Sequence, residues 1–324
     1  MDIQLGSLEE VNAREIWMRE ATDFTPWLHK NIDRLSEVLE IDIEISESEA
    51  PVGSFAADLV GLDLGSKRLV VIENQLGQTD HSHLGQVLTY AAGREADIVV
   101  WIALEFREEH RQALLWLNER THEDQVFFGI ELRVVRIGSS SPAPLFRIVA
   151  QPNEWQKTLA TRTGESTPRG EAYREFWTEF LAELRNRRPG LTRAKQGQPQ
   201  NWLNIGAGRT GIRYNVAFTR DRQFKVEVYF DYADAELNRK VFDLLEAEKD
   251  NIEREIGKEL NWERIDDRVA KRIAVYTDGS IEDSEDDLQA LCHWGLTTLE
   301  EFVEVFRDRI LSLPPNSTLQ TRDI

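Results

Sequence analysis

Apolar and polar positions alternate along this chain with a period that changes from segment to segment, and the changes predict its elements. Ser7-Leu-Glu-Glu10 fits a capping box, which predicts a helix starting at Ser7. Thr25-Pro26 opens a second helix, with Trp27, Ile32, Leu35, Val38 and Leu39 as its apolar stripe. Strands are predicted at 41–45, 54–64 and 67–75, then a helix from about 81 to 94. A buried strand at 97–103, a helix at 107–120 and strands at 125–137 and 145–150 follow. That order predicts an α/β or α+β fold, a sheet with helices packed on it.

The second half predicts another α+β domain. A helix at 170–186 carries Tyr173, Phe176, Trp177, Phe180, Leu181 and Leu184, read as core or as a dimer contact. Strands near 202–205, 211–218 and 224–230 precede a long charged helix at about 234–258, a strand near 270–277 and a final helix at 285–311. The stretch TRTGESTPRG (161–170) reads as a linker, dividing the chain into domains at 1–160 and 171–324. Gly206-Ala-Gly208-Arg-Thr-Gly211 matches G-x-G-x-x-G, but a strand follows it where a dinucleotide site needs a helix. It is read as a glycine-rich hairpin.

Composition narrows the classes. The 324 residues are 41% hydrophobic, with nine Trp and fourteen Phe, enough for real cores. A single cysteine, Cys292, excludes an internal disulfide and a multi-Cys zinc site. The longest apolar run, Ile98 to Leu104, is too short to span a bilayer, and MDIQLGSLEE lacks the pattern of a signal peptide. A soluble, cytoplasmic protein without a membrane partner is expected. The net charge of −19 argues against a protein that coats nucleic acid, but it is uneven: −13 over 1–160, +7 over 161–225 and −13 over 226–324. The basic block includes Arg185, Arg187, Arg188, Arg193, Lys195, Arg209 and Arg213. They read equally as phosphate contacts, with Trp202 as a base-stacking neighbour, or as a solvated linker.

The candidate chemistry lies in FAADLVGLDLGSKRLVVIENQLG, 55–77. Two β-type runs flank Gly65-Ser66, which suits a two-residue type II′ turn with Leu64 facing Lys67. Paired residue numbers then sum to 131, Asp63 faces Arg68 as a favourable ion pair, and Asp58 faces Glu73. Two opposed carboxylates call for a shared proton or a bound cation. With the register displaced by one, both acids would merely meet water at strand ends. Gln75 projects from the same face as Glu73. On the next helix, Gln86 and Tyr90 are four residues apart and share a face.

Asp58, Glu73-Asn74-Gln75 and Gln86-x-x-x-Tyr90 together resemble the PD-(D/E)XK nuclease superfamily, and the QxxxY helix is like that of its RecB-type members. More closely, the chain resembles bacterial proteins that fuse such a domain to a C-terminal domain of unknown function. FTPWL (24–28), VGSF (52–55), IENQLGQTDHSHLGQVLTYAAG (72–93), VVWIA (99–103), EEHRQALLWLNE (108–119), YREFW (173–177) and RIAVYTDGSIED (272–283) carry that likeness. The resemblance implies a restriction-endonuclease-like mixed sheet in αβββαβ order. It implies Asp58 and Glu73 as ligands of Mg²⁺ or Mn²⁺, with the Asn74 carbonyl as a third, and Gln75, Gln86 and Tyr90 in the cleft. A further carboxylate from the first helix is implied, with Glu37 and Glu40 as candidates. The implied activity is a metal-dependent endo- or exodeoxyribonuclease, a hydrolase acting on DNA in genome defence or maintenance.

Two departures bear on that. Ala57, not Pro, precedes Asp58, and Gln75 stands where the superfamily usually has Lys. A glutamine lacks the charge but can orient a water. It and the acidity favour the alternative, an inactive nuclease-fold protein that binds nucleic acid or a protein partner. A third reading is a regulatory protein whose second domain senses a small ligand. Nearby, Asp80 reads as a helix N-cap, while His81 and His83 read as auxiliary metal or proton-transfer groups or as caps.

Overall fold

The computed structural model describes residues 6–53, 55–121, 125–152, 167–232, 234–264 and 271–319. The chain folds as two compact units, Met1–Arg162 and Thr163–Ile324. Each has its own sheet and core, and the fold is mixed α/β.

The first unit begins with β1 (Leu8–Val11), α1 (Ala13–Ile16) and a π-helical turn, Glu20–Phe24. Helices α2 (Thr25–Lys30) and α3 (Ile32–Leu39) follow, then strands β2 (Ile43–Val52), β3 (Phe55–Asp63) and β4 (Leu69–Gln78). Helix α4 (His81–Gly93), β5 (Ile98–Glu105), α5 (Glu108–Arg120), β6 (Val126–Ile137) and β7 (Ala143–Ala150) come next among the described residues. The sheet order is β1-β6-β5-β4-β3-β2, with β7 also on β6. The β4–β5 and β5–β6 pairs are parallel, and all others are antiparallel.

Both sheet faces are covered, which is why the runs 69–72 of β4 and 98–104 of β5 are apolar at every position. Val70, Ile72, Ile98, Val100 and Ile102 pack under Phe24, Leu28, Leu35 and Leu39. The alternate residues Val71, Val99 and Trp101 pack against Val87 and Tyr90 of α4 and Leu114 of α5.

Three sequence expectations fail here for physical reasons. The helix expected from Ser7 is strand β1, which pairs with Val134–Ile137 of β6, and Asn12 instead caps α1 through its bond from the Arg14 N–H. The helix opened by Thr25-Pro26 breaks at Asn31, whose amide donates to the Trp27 carbonyl at 2.8 Å and competes with the helical ladder. The hairpin keeps the expected register, Leu59↔Ile72 to Leu62↔Leu69, but not the expected turn. Asp63 accepts from the Gly65 and Ser66 N–H groups and the Ser66 hydroxyl, and Lys67 turns left-handed at φ 60°. The loop therefore spans four residues, and the Asp63 carboxylate stabilises it.

The second unit has α6 (Pro168–Arg187), β8 (Trp202–Arg209), β9 (Ile212–Phe218), β10 (Gln223–Phe230), α7 (Ala235–Glu246) and α8 (Lys249–Ile256). Then come β11 (Asn261–Glu263), β12 (Lys271–Asp278), α9 (Glu285–Ser312) and α10 (Asn316–Leu319). The sheet is antiparallel, in the order β11-β12-β10-β9-β8. Of the expected linker, 161–166 lie outside the described residues. Thr167 caps α6, and 168–170 form its first turn. The long helix expected at 234–258 is two, α7 and α8. The aromatic residues of α6 are core: Trp177 and Phe180 are fully buried beside Phe218 and Phe224. Gly208 and Gly211 supply positive φ for the β8–β9 hairpin, the role expected for the glycine motif. Among the described residues, no helix is long and apolar enough to cross a membrane.

Candidate active site

The site forms where the β3–β4 ladder ends. Its last pair is Leu59↔Ile72, while β4 continues against β5 through Glu73↔Trp101, Asn74↔Ile102 and Gln75↔Ala103. Past that point the Asp58 carboxylate replaces the strand backbone as the link to β4. Its Oδ2 accepts from the Asn74 N–H at 2.8 Å and from Asn74 Nδ2 at 2.7 Å. Asn74 is fully buried, and its Oδ1 accepts from the Thr25 hydroxyl of α2 at 3.2 Å. One asparagine thus ties Asp58 to the N-terminal helices.

Glu73 is 4% exposed and its Oε2 has no hydrogen-bond partner. Burial pushes its carboxyl well above the usual range, and the neighbouring Asp58 and Glu20 charges add to this. Asp58 rises as well, by burial against the opposing Asn74 N–H, with Glu20 and Glu49 raising it further. Tyr90 sits in the same field. Its phenol, bonded to Gln86, is raised by burial and then by Glu73 and Asp58. The QxxxY face of α4 therefore lies over the carboxylate pair.

Gln75 is 7% exposed. Its Nε2 donates to the Gln78 carbonyl at 2.9 Å and to Asp80 Oδ2 at 2.7 Å, and its Oε1 is buried without a partner. Asp80 caps α4 through the His83 N–H at 2.9 Å and also accepts from His83 Nδ1 at 2.9 Å. Burial raises Asp80, but these bonds outweigh it and hold the carboxyl at about 2.

Two neighbours of the pair were not legible in the sequence. Between Gln75↔Ala103 and Gln78↔Glu105, β4 bulges by one residue, which frees the backbone groups of Leu76. Glu20 Oε2 accepts the Leu76 N–H at 2.5 Å, and Arg14 Nη2 donates to the Leu76 carbonyl at 2.6 Å. The π-helical turn that begins at Glu20 aims this carboxylate. Gly77 inside a strand was the one sequence signal for the bulge. On the other side, Ser48↔Leu59 and Ala50↔Ala57 place Glu49 across from Asp58, with Glu49 left-handed at φ 52°. Glu20→Ala should leave the Leu76 N–H unsatisfied and cost ~1–3 kcal/mol, read by urea denaturation. An unchanged midpoint would mean that Glu20 does not hold the bulge.

The expected auxiliary carboxylates are elsewhere. Glu37 is exposed on α3, and Glu40 is the left-handed residue that ends it. Glu20 is the N-terminal carboxylate whose charge reaches the pair. His81 Nδ1 lies 2.7 Å from His110 Nε2, and His110 Nδ1 lies 2.8 Å from the Thr79 hydroxyl. That chain runs to α5, and it is His83 whose charge reaches Asp58.

Arg185, Arg187, Arg188, Arg193, Arg209 and Arg213 of the second unit have intrachain partners. Arg185 donates to the Ala194 carbonyl at 2.6 Å, and Arg193 to that of Gly190 at 2.8 Å. Arg187 pairs with Glu183 at 2.9 Å and Arg188 with Glu304 at 3.3 Å. Arg209 donates to the carbonyls of Leu313 and Pro314 and to Asn316, and buried Arg213 faces Asp231 at 3.5 Å. Lys195 is exposed.

The fit of a cation rests on the unpartnered oxygens. Glu73 Oε2, Gln75 Oε1 and Gln86 Oε1 are buried acceptors without donors. Leaving such atoms unsatisfied costs ~1–3 kcal/mol each, which a hard cation or its waters would recover. Among the described residues, no three His, Cys, Asp or Glu side chains stand close enough to hold a metal ion alone. Two carboxylates completed by amide or main-chain oxygen and water is the manner in which Mg²⁺ is usually held. The residues fit that group.

The raised carboxylates set a pH dependence. A carboxyl raised in the folded state favours folding most at low pH, and that contribution is lost as pH climbs through the raised value. The metal-free protein should therefore lose stability from about pH 4 upward, by at most ~1.4 kcal/mol per pH unit per group. Urea titrations in EDTA across that range measure it. A flat profile would mean that the pair is not buried as described.

A family model for a domain of unknown function, DUF4268, matches residues 172–310. A search of curated proteins gives no match. Among solved structures, the chain is similar to a repair endonuclease from Pyrococcus abyssi, at 16% identity and a TM-score of 0.28, over 35% of this chain and 47% of that one. It is also similar to EndoMS in a complex with double-stranded DNA, at 15% identity and a TM-score of 0.26, over 33% of this chain and 43% of that one. The chain thus matches less than half the length of either structure, and both likenesses are distant and concern the fold.

Proposed function

We propose that this protein is a divalent-metal-dependent nuclease that hydrolyses phosphodiester bonds of DNA, with its site in the N-terminal unit. The observation that carries the reading is the Asp58–Glu73 pair at the end of the β3–β4 ladder, Glu73 buried and Asp58 half-buried, with unpartnered oxygens of Glu73, Gln75 and Gln86 around it. Asp58, Glu73 and the Asn74 carbonyl would hold Mg²⁺ or Mn²⁺. Such a cation acidifies a bound water and offsets the charge that grows on a phosphate in the transition state.

The chain's own residues supply the rest. Asn74 fixes Asp58 by placing both of its donors on Oδ2. Tyr90 and Gln86 share the face of α4 beside the pair, and the Gln86 oxygen is left available to a water proton. The second unit would supply contacts to the nucleic acid or to a partner.

The test is degradation or nicking of single- and double-stranded DNA and RNA with Mg²⁺ or Mn²⁺, comparing the wild type with Asp58→Ala and Glu73→Ala. Cleavage by the wild type alone is expected, and cleavage that persists in both variants would remove the site. A salt titration of DNA affinity reads how many phosphates the basic segment meets, and a flat response removes that segment from the reading.

One observation favours a second reading, an inactive nuclease-fold protein that binds nucleic acid or a protein. Gln75 has no titratable proton, and its amide donors are already engaged by Gln78 and Asp80. DNA binding without cleavage under every metal condition would select it.

A further inference from the structure

The orientation of the Gln75 amide is fixed by its partners. Both neighbours of its nitrogen, the Gln78 carbonyl oxygen and Asp80 Oδ2, are acceptors. Rotating the amide by half a turn would set its oxygen against two oxygens and lose both bonds. The nitrogen therefore faces Gln78 and Asp80, and the oxygen faces away from them. That oxygen is buried and unpartnered, as is Glu73 Oε2 two residues earlier on the same strand face.

A lysine at this position would bring a positive charge beside the carboxylates and oppose a second cation. Glutamine brings a neutral oxygen of the kind that hard cations accept as a ligand. Asp80 controls which end of the amide is presented. Its carboxylate is itself anchored by the His83 N–H and ring at the start of α4, so it is placed before any ligand arrives.

We propose that Gln75 Oε1 is a ligand of the cation held by Asp58 and Glu73, and that Asp80 is the positioning residue that keeps the Gln75 amide turned oxygen-inward. This rests on the metal site proposed above. It assigns Gln75 a part in binding the cation rather than the part of a proton donor or a water-orienting donor. It also assigns Asp80 a role beyond capping α4.

The experiment is Mn²⁺ binding to the full chain without nucleic acid, by calorimetry and by the loss of the free-ion paramagnetic resonance signal. The variants are Gln75→Met, close in size but without the oxygen, and Asp80→Asn, which keeps a good N-cap but offers a donor that lets the amide turn over. Each is expected to weaken Mn²⁺ binding by roughly 10–100-fold with an unchanged melting temperature. Asp58→Asn and Glu73→Gln serve as references. Loss of binding in those two with unchanged affinity in Gln75→Met and Asp80→Asn overturns this inference and leaves the metal site standing. No Mn²⁺ binding by the wild type overturns both. If Gln75→Met fails to fold, Asp80→Asn decides alone: an affinity equal to that of the wild type rejects the proposal.

Discussion

Asp58→Asn and Glu73→Gln should each stabilise the metal-free protein at pH 8 while weakening Mn²⁺ binding by more than ~100-fold. The two effects share one cause. Both carboxyls are raised by burial, Asp58 raises Glu73 further, and Glu20 and Glu49 nearby raise both. Without a cation, ionising the pair is opposed by lost hydration and by like charge. A neutral amide removes that opposition, for a gain of ~1–2 kcal/mol at pH 8 that shrinks as pH falls to the ordinary carboxylate range. The same change removes an anionic ligand. Urea denaturation in EDTA and Mn²⁺ titration, run on the same samples, separate a functional pair from a structural one. Variants less stable than the wild type at pH 8 would show that the carboxylates hold the fold instead.

Trp101→Ala is expected to have the largest effect on stability. Trp101 lies on β5 between Glu73 of β4 and Gly129 of β6, fully buried, with Phe106 at 5.2 Å and His110 at 5.5 Å between ring centroids. Removing an indole from such a place costs ~3–5 kcal/mol, a large share of the stability of a domain this size. The second unit has a separate aromatic core around Trp177, Phe180, Phe218 and Phe224. Unfolding should therefore split in two, with one transition moved to low urea and one in place. Circular dichroism and tryptophan fluorescence across a urea series read both. A single unshifted transition would contradict the assignment of Trp101 to the core of the first unit. Because Trp101 is the β5 partner of Glu73, Mn²⁺ binding should fail with the first transition.

Much of the first unit was readable because its pattern is strong and local. Leu69-Val-Val-Ile and Ile98-Val-Val-Trp-Ile are apolar at every position, as a strand covered on both faces must be. The hairpin register was right although the turn was wrong. A two-residue loop closed by Leu64 and Lys67 and a four-residue loop closed by Asp63 and Arg68 share one register, so the error did not propagate to Asp58 and Glu73. Asp63 does sit opposite Arg68, as its register requires, with its N–H donating to the Arg68 carbonyl at 3.0 Å; what the sequence did not show is that its carboxylate also binds the loop backbone at Gly65 and Ser66. Side-chain capping of this kind is common for Asp in turns, but spacing alone does not separate it from an ion pair.

What stayed hidden is what tertiary contact decides. Glu20 reaches Leu76 across 56 positions because a bulge frees that N–H, and neither partner signals the other in sequence. Ser7 fitted a helix cap, yet the far end of β6 took Leu8–Val11 as a strand. The basic segment gave a net charge but not its pairings. Arg187, Arg188, Arg209 and Arg213 each meet a carboxylate or carbonyl of their own unit, which a charge count does not foresee.

The most direct test of the account is the number of protons released when Mn²⁺ binds. A pair that holds a proton in the metal-free state must lose it to a cation, so affinity should rise with pH over the window in which metal-free stability falls. Calorimetric titrations of the wild type at neutral pH, in two buffers with different heats of ionisation, count those protons. The account predicts net proton release that disappears in Asp58→Asn and Glu73→Gln. Mn²⁺ binding without proton release, or with the same release in both variants, would place the cation elsewhere and contradict it.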